Sequence, residues 1–181
     1  MYNTDCLYFG TLAQRNPVSR KAIQSLFNHQ IKYFCDLNIR QDFFTKEIIE
    51  LSLKTSDVLK INEDELILLN NLFLSNQYDL ISSSIQIKNL FNIELLCVTC
   101  GENGSYLLRN DEIDHFKPAA NDPIDTVGAG DAYAAVLCIG FISGWNIKKL
   151  NSIASNFAEK IVMIKGALPE TDDFYTELKS L

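Results

Sequence analysis

Short apolar runs bounded by polar turns alternate with helix-period patterns through the first hundred residues, and this alternation constrains the fold more than any other feature of the sequence. Strands separated by helices pair in parallel, in a mostly parallel sheet covered on both faces. The runs predict strands over Cys6–Gly10, Ile31–Asp36, Val58–Ile61 and Leu95–Thr99. Pro17 after Asn16 opens a helix to about His29, since proline fits the first helical position. Thr45 caps a helix through Leu53, and Asn62-Glu63-Asp64-Glu65 supplies a cap with an acid three places on. Helical patterns continue to about Phe73 and from Tyr78 to Phe91. Ser105–Leu108 and Ile113–Phe116 flank Asn110-Asp111 as a hairpin, and helices follow at about 128–143, 147–164 and 172–180. The expectation is an α/β fold with a mostly parallel sheet. No repeat, linker or low-complexity tract divides residues 1–181, which therefore read as one domain.

Composition narrows the function classes. With 47% hydrophobic and 22% charged residues in 181, the chain can bury a core and is not a disordered segment. Sixteen Lys plus Arg against 23 Asp plus Glu leave a net charge of −7 without a basic run, which argues against nucleic-acid backbones as partners. No run of about 18 apolar residues predicts a membrane span, and Met1 to Asp5 lacks the basic and apolar regions of a secretory leader. Five cysteines, an odd number, fit reduced thiols in a cytoplasm. Cys97 and Cys100 spell C-x-x-C, but on a strand positions three apart face opposite sides, so the two sulfurs should not meet.

The chemistry concentrates in Asp125-Thr126-Val127-Gly128-Ala129-Gly130-Asp131, at the start of an apolar helix. Small residues let a ligand approach the backbone, and the free N–H groups and dipole of a helix start form an anion cradle. Asp131 in the first turn could accept a proton beside that cradle, which is a phosphoryl-transfer layout. Local physics equally allows a plain Gly-rich helix start with Asp131 favoured by the dipole. A dinucleotide fingerprint fails because Tyr133 occupies the third glycine position, and no G-x-x-x-x-G-K-[ST] occurs.

This segment resembles the D-T-x-G-A-G-D signature of the ribokinase-like, PfkB-type carbohydrate kinases. Further likenesses follow the family's order. Asp36-Leu37-Asn38-Ile39-Arg40 is similar to the D-x-N-x-R of fructokinase-like members, Lys60 to Glu65 to K-x-N-x-x-E, and Thr99 to Gly104 to T-x-G-x-x-G. Phe9-Gly10-Thr11-Leu12-Ala13 and Lys165-Gly166-Ala167-Leu168-Pro169 resemble two further landmarks.

The resemblance implies a ribokinase-like three-layer α/β/α fold and ATP-dependent phosphorylation of a small sugar. Asp131 would be the general base and Gly128, Ala129 and Gly130 the anion hole. Asn62 and Glu65 would lie near the nucleotide phosphates and Mg²⁺, and Thr99, Gly101 and Gly104 would line the nucleotide. Asp36, Asn38 and Arg40 would end a central strand, where ligands of open α/β sheets gather, Arg40 facing phosphate or forming a surface ion pair. Asp125 would help hold a monovalent cation such as K⁺. The adenine contact of relatives falls on Ser155, with Asn156 one place later as the candidate. The resemblance spans the nucleotide-handling C-terminal portion of the family alone, so a partial domain is expected. Such a chain would be impaired by itself and inclined to self-associate or pair with a complementing N-terminal chain. Alternatives are a nucleoside or vitamin kinase of the same fold, and a non-catalytic nucleotide-binding remnant or regulatory module.

Overall fold

Local side-chain chemistry sets where the helices begin. In the computed structural model, which describes residues 4–41, 43–118 and 122–179, helix α1 (Pro17–Gln24) starts at its proline, with the Asn16 side chain accepting from Val18 N. Thr45 caps α2 (Lys46–Thr55), Asn62 caps α3 (Glu63–Leu69), Asp79 caps α4 (Leu80–Leu90) and Asn146 caps α6 (Ile147–Val162). Helix α5 (Ala129–Ile142) begins after Gly128 with no side-chain cap. A short α7 (Thr176–Lys179) follows a 3₁₀ turn near the end.

Several boundaries differ from expectation, among them the start of α4 at Leu80 rather than Tyr78 and the end of α6 at Val162 rather than 164. Helix α1 stops at Gln24 rather than near His29, because Tyr33 reaches back to break the pattern. Its hydroxyl accepts from the His29 amide and lies against the carbonyls of Leu26 and His29, and Phe27 turns inward onto Phe9 and Tyr33. Helix α3 gives way at Asn70–Leu74 to a wider π turn, closed by Ser75 at φ 55°. Helix α2 runs two residues past Leu53.

Strands β1 (Cys6–Phe9), β2 (Lys32–Asp36), β3 (Val58–Asn62), β4 (Leu95–Thr99), β5 (Ser105–Arg109) and β6 (Glu112–Phe116) form one sheet in the order β1-β2-β3-β4-β5-β6. The first four are parallel, and β5 and β6 add antiparallel as the expected hairpin. Crossovers of one hand advancing in one direction put successive helices on the same face. Accordingly Ile49, Leu53, Leu66 and Ile87 of α2, α3 and α4 pack with Cys35, Leu59, Ile61, Leu96 and Val98. The alternate strand residues Phe34, Val58, Leu95, Cys97 and Leu107 point to the other face, beneath α5 and α6. Cys97 and Cys100 thus fall into different cores, as strand geometry requires. Each fully buried Leu or Ile contributes roughly 1.5–3 kcal/mol. Among the described residues no helix is long and apolar enough to cross a membrane.

Candidate active site

The parallel strands end together at one side of the sheet, where ligands of open α/β folds gather. Strand β1 delivers Gly10, whose close approach to β2 excludes a side chain: a Cβ there would stand 2.5 Å from the Asp36 carbonyl oxygen. Thr11 then fastens the chain, donating from both its amide and its hydroxyl to Leu37 O. Strand β2 ends at Asp36, β3 at Asn62 and β4 at Thr99.

The start of α5 is held at the same end. The amides of Ile124 and Asp125 donate to Val162 O, and the Asp125 carboxylate accepts from Val127 N and Gly166 N, each at 3.0 Å. Those two amide bonds hold the Asp125 carboxyl below its ordinary value. Gly128 adopts φ 86°, and a Cβ there would stand 2.7 Å from Ala167 Cβ and 2.8 Å from Ala167 Cα. The Gly128 turn and the Gly166-Ala167 turn therefore fit one another only without a side chain. Gly128→Ala should cost more than about 1 kcal/mol from the left-handed backbone alone, with the clash adding to it. A urea titration reads this, and a variant as stable as the parent would show that the two turns can separate freely.

Among α1 to α6, α5 alone lacks a side-chain cap. Its first-turn amides belong to Ala129, Gly130 and Asp131, and Ala129 N reaches only Thr126 O, at 3.4 Å. An uncapped helix start leaves N–H groups and the positive dipole end for an anion. Asp131 is exposed beside them and forms no hydrogen bond or ion pair among the described residues.

Beneath this helix start lies an ion pair that the sequence does not announce as one. Lys60 and Asp36 are register partners on β3 and β2, facing the α5 side. The Lys60 ammonium lies 3.0 and 2.9 Å from the two Asp36 oxygens, with side chains only 10% and 5% exposed. Tyr8 donates its hydroxyl to Asp36 Oδ2 at 2.8 Å. Burial, then the Asp36 charge, raises the Tyr8 phenol above its ordinary value, so the proton stays on tyrosine. A Cβ on Gly130 would stand 3.7 Å from Lys60 Nζ, which places the ammonium directly under the helix start. The signal was a lysine in the inward register of Val58-Leu59-Lys60-Ile61, a position that demands a partner.

The remaining candidates divide. Asn62 and Glu65 form a reciprocal capping box, and the second Glu65 oxygen accepts from Ile39 N at 2.7 Å. Glu65 thereby fixes the Asp36–Arg40 loop, in which Asn38 adopts φ 43°. Burial raises the Glu65 carboxyl, opposed by the Asn62 and Ile39 amides. Arg40 is exposed, without an ion pair among the described residues. Asn38 and Arg40 lie in the loop after β2, not on the strand. Thr99 Oγ1 donates to Ile61 O at 3.4 Å. Gly101 takes φ 55° and Gly104 φ 87°, and a Cβ on Gly104 would lie 1.9 Å from Phe116 O, so the turn admits only glycine there. Ser155 is buried against Ser105 and Asn151, while Asn156 sits on the exposed side of α6 with its amide on Ser152. Among the described residues no hydrogen bond joins Asn156 to the start of α5.

The chain belongs to the pfkB family of carbohydrate kinases, whose profile matches residues 3–172. An uncharacterized sugar kinase of Pyrococcus horikoshii is 28% identical over 171 residues, covering 88% of this chain and 50% of that protein. A fructokinase of Klebsiella pneumoniae is 29% identical over 141 residues, covering 75% of this chain and 44% of the relative. The chain thus spans about half the length of the curated relatives it matches. The ribokinase-like fold is equally plain. An aminoimidazole riboside kinase from Salmonella enterica, solved with aminoimidazole riboside and an ATP analog, superimposes with TM-score 0.77 at 23% identity, over 96% of this chain and 62% of that one. An adenosine kinase from Sinorhizobium meliloti gives TM-score 0.79 at 21% identity, over 98% and 54%.

Proposed function

We propose that this chain is the nucleotide-handling part of an ATP-dependent sugar kinase, transferring the terminal phosphoryl group to a sugar hydroxyl. The observation that carries the reading is the uncapped start of α5, with Asp131 exposed beside free amides and the Lys60 ammonium under Gly130. In this reading the amides of Gly128 to Asp131 take the charge that develops on the transferring oxygens, and Lys60 adds positive potential below them. Asp131 accepts the proton of the attacking hydroxyl. Thr99, Gly101 and Gly104 shape the turn beside the nucleotide, and Asn156 is the adenine candidate on α6.

Mg²⁺, when bound, neutralises phosphate charge. Asn62 Oδ1 and both Glu65 oxygens are engaged by backbone amides, so these residues fit a place around the ion's hydration shell rather than within its ligand set. Asp125 uses two of its four acceptor sites on amides, and the other two fit a monovalent cation such as K⁺. Fructose-like sugars are the proposed acceptors, on the D-x-N-x-R likeness at Asp36–Arg40 and the fructokinase relative.

By itself the chain should bind ATP weakly and phosphorylate sugars negligibly, because acceptor positioning supplies roughly 7–11 kcal/mol of barrier lowering and relatives use twice its length for the task. Among the described residues strand β1 is paired on one side only, and its Tyr8 is half exposed, so self-association or docking of a complementing chain is expected. Calorimetric titration with ATP, a fructose phosphorylation assay and light scattering on one preparation test all three. Failure to bind ATP would sink the nucleotide role. A monomer turning over fructose at roughly 1–100 per second would sink the impairment.

A further inference from the structure

Cys6 and Cys138 stand 132 positions apart in the chain, yet their sulfurs lie 3.8 Å from one another where β1 meets α5. Both are partly exposed, whereas Cys35, Cys97 and Cys100 are buried. No other part of the kinase reading uses either thiol. We propose that Cys6 and Cys138 form a reversible disulfide when the protein meets a small-molecule disulfide such as oxidised glutathione, stapling the edge strand to the helix that carries Asp131.

The Cys138 S–H donates to the Cys6 sulfur across 3.8 Å, so each thiol stands within reach of a bond formed at the other. When Cys138 attacks as its thiolate, it forms an S–S bond to one glutathione and expels the other as its thiolate. The Cys6 thiolate then attacks the Cys138 sulfur and expels the second glutathione. Two protein thiols are oxidised, one glutathione disulfide is reduced to two thiols, and the two protons pass to the leaving thiolates. The sulfurs must close from 3.8 Å to about 2.05 Å, a movement within reach of side-chain rotation at a partly exposed site. Cys138 follows Asp131 by seven residues, close to two helical turns, so the staple would hold α5 on the side that bears Asp131 and about 10 Å below it.

The full chain is incubated with oxidised glutathione, alkylated under denaturing conditions, digested and weighed. The expected product has lost two hydrogens and yields a Cys6–Cys138 cross-linked peptide that dithiothreitol reverses, with Cys35 and Cys97 still alkylated. Oxidation should raise the urea midpoint of the wild type and leave that of Cys6→Ser and Cys138→Ser unchanged. A stable glutathione adduct without the cross-link, a cross-link between other cysteines, or no reaction would each overturn the proposal. The peptide measurement on wild-type protein decides even where a serine variant fails to fold.

Discussion

Asp131→Asn is expected to lower phosphoryl transfer about 10²–10⁴-fold in any preparation of this protein that phosphorylates a sugar, while ATP affinity stays within a few-fold. The amide matches the carboxylate in shape but cannot take a proton. The residue is exposed and forms no hydrogen bond or ion pair among the described residues, so the change should leave the fold alone. The amides of the cradle belong to the backbone and survive it, which is why nucleotide binding should persist. Steady-state turnover and an ATP titration on the same variant separate the two effects. Turnover within about a factor of three of wild type would remove Asp131 from the role of base.

Lys60→Met should have the largest effect on stability. Methionine keeps the apolar stem but removes the ammonium, leaving Asp36 buried with, among the described residues, only the Tyr8 hydroxyl to meet its charge. Removing one member of a buried ion pair costs about 3–5 kcal/mol, a large share of the roughly 5–15 kcal/mol that holds a typical protein folded. Replacing both members, Lys60→Met with Asp36→Leu, should recover most of that loss, since no unpaired charge remains. Urea denaturation of the single and double variants gives the comparison. A Lys60→Met protein within about 1 kcal/mol of wild type would show that solvent reaches the pair.

Much of the scaffold was legible because its signals are local. Asn16-Pro17, Thr45 and Asn62 announce their helices with groups that satisfy the first free amides, and each serves as a cap in the structure. The hairpin at Asn110-Asp111 was equally readable, Asn110 accepting φ 52° as few other residues would. Helix α1 was overread because what ends it lies in the next strand: no pattern within Pro17–His29 reveals Tyr33. The small-residue start of α5 showed in the sequence as Gly128-Ala129-Gly130, but the ion pair beneath it did not. Lys60 and Asp36 are 24 positions apart, and only the parallel register of β2 and β3 sets them side by side. The Tyr8 hydroxyl joins them from a third strand, which strand-by-strand reading cannot foresee. Glu65 illustrates a different gap. Its capping role was visible, whereas its second bond, to Ile39, depends on where the Asp36–Arg40 loop comes to rest.

The strand order β1 to β6 also gives the molecule a direction in time. Every strand after the first pairs with the one made just before it, so a chain leaving the ribosome can extend its sheet stepwise with short loop closures. The opposite face has no such luck. Phe34, Val58 and Leu95 form one row across β2, β3 and β4, and their cover arrives only with α5 and α6. Until synthesis passes Val162, the nascent sheet carries one finished side and one greasy, open side. That interval is where aggregation and the need for a chaperone should concentrate.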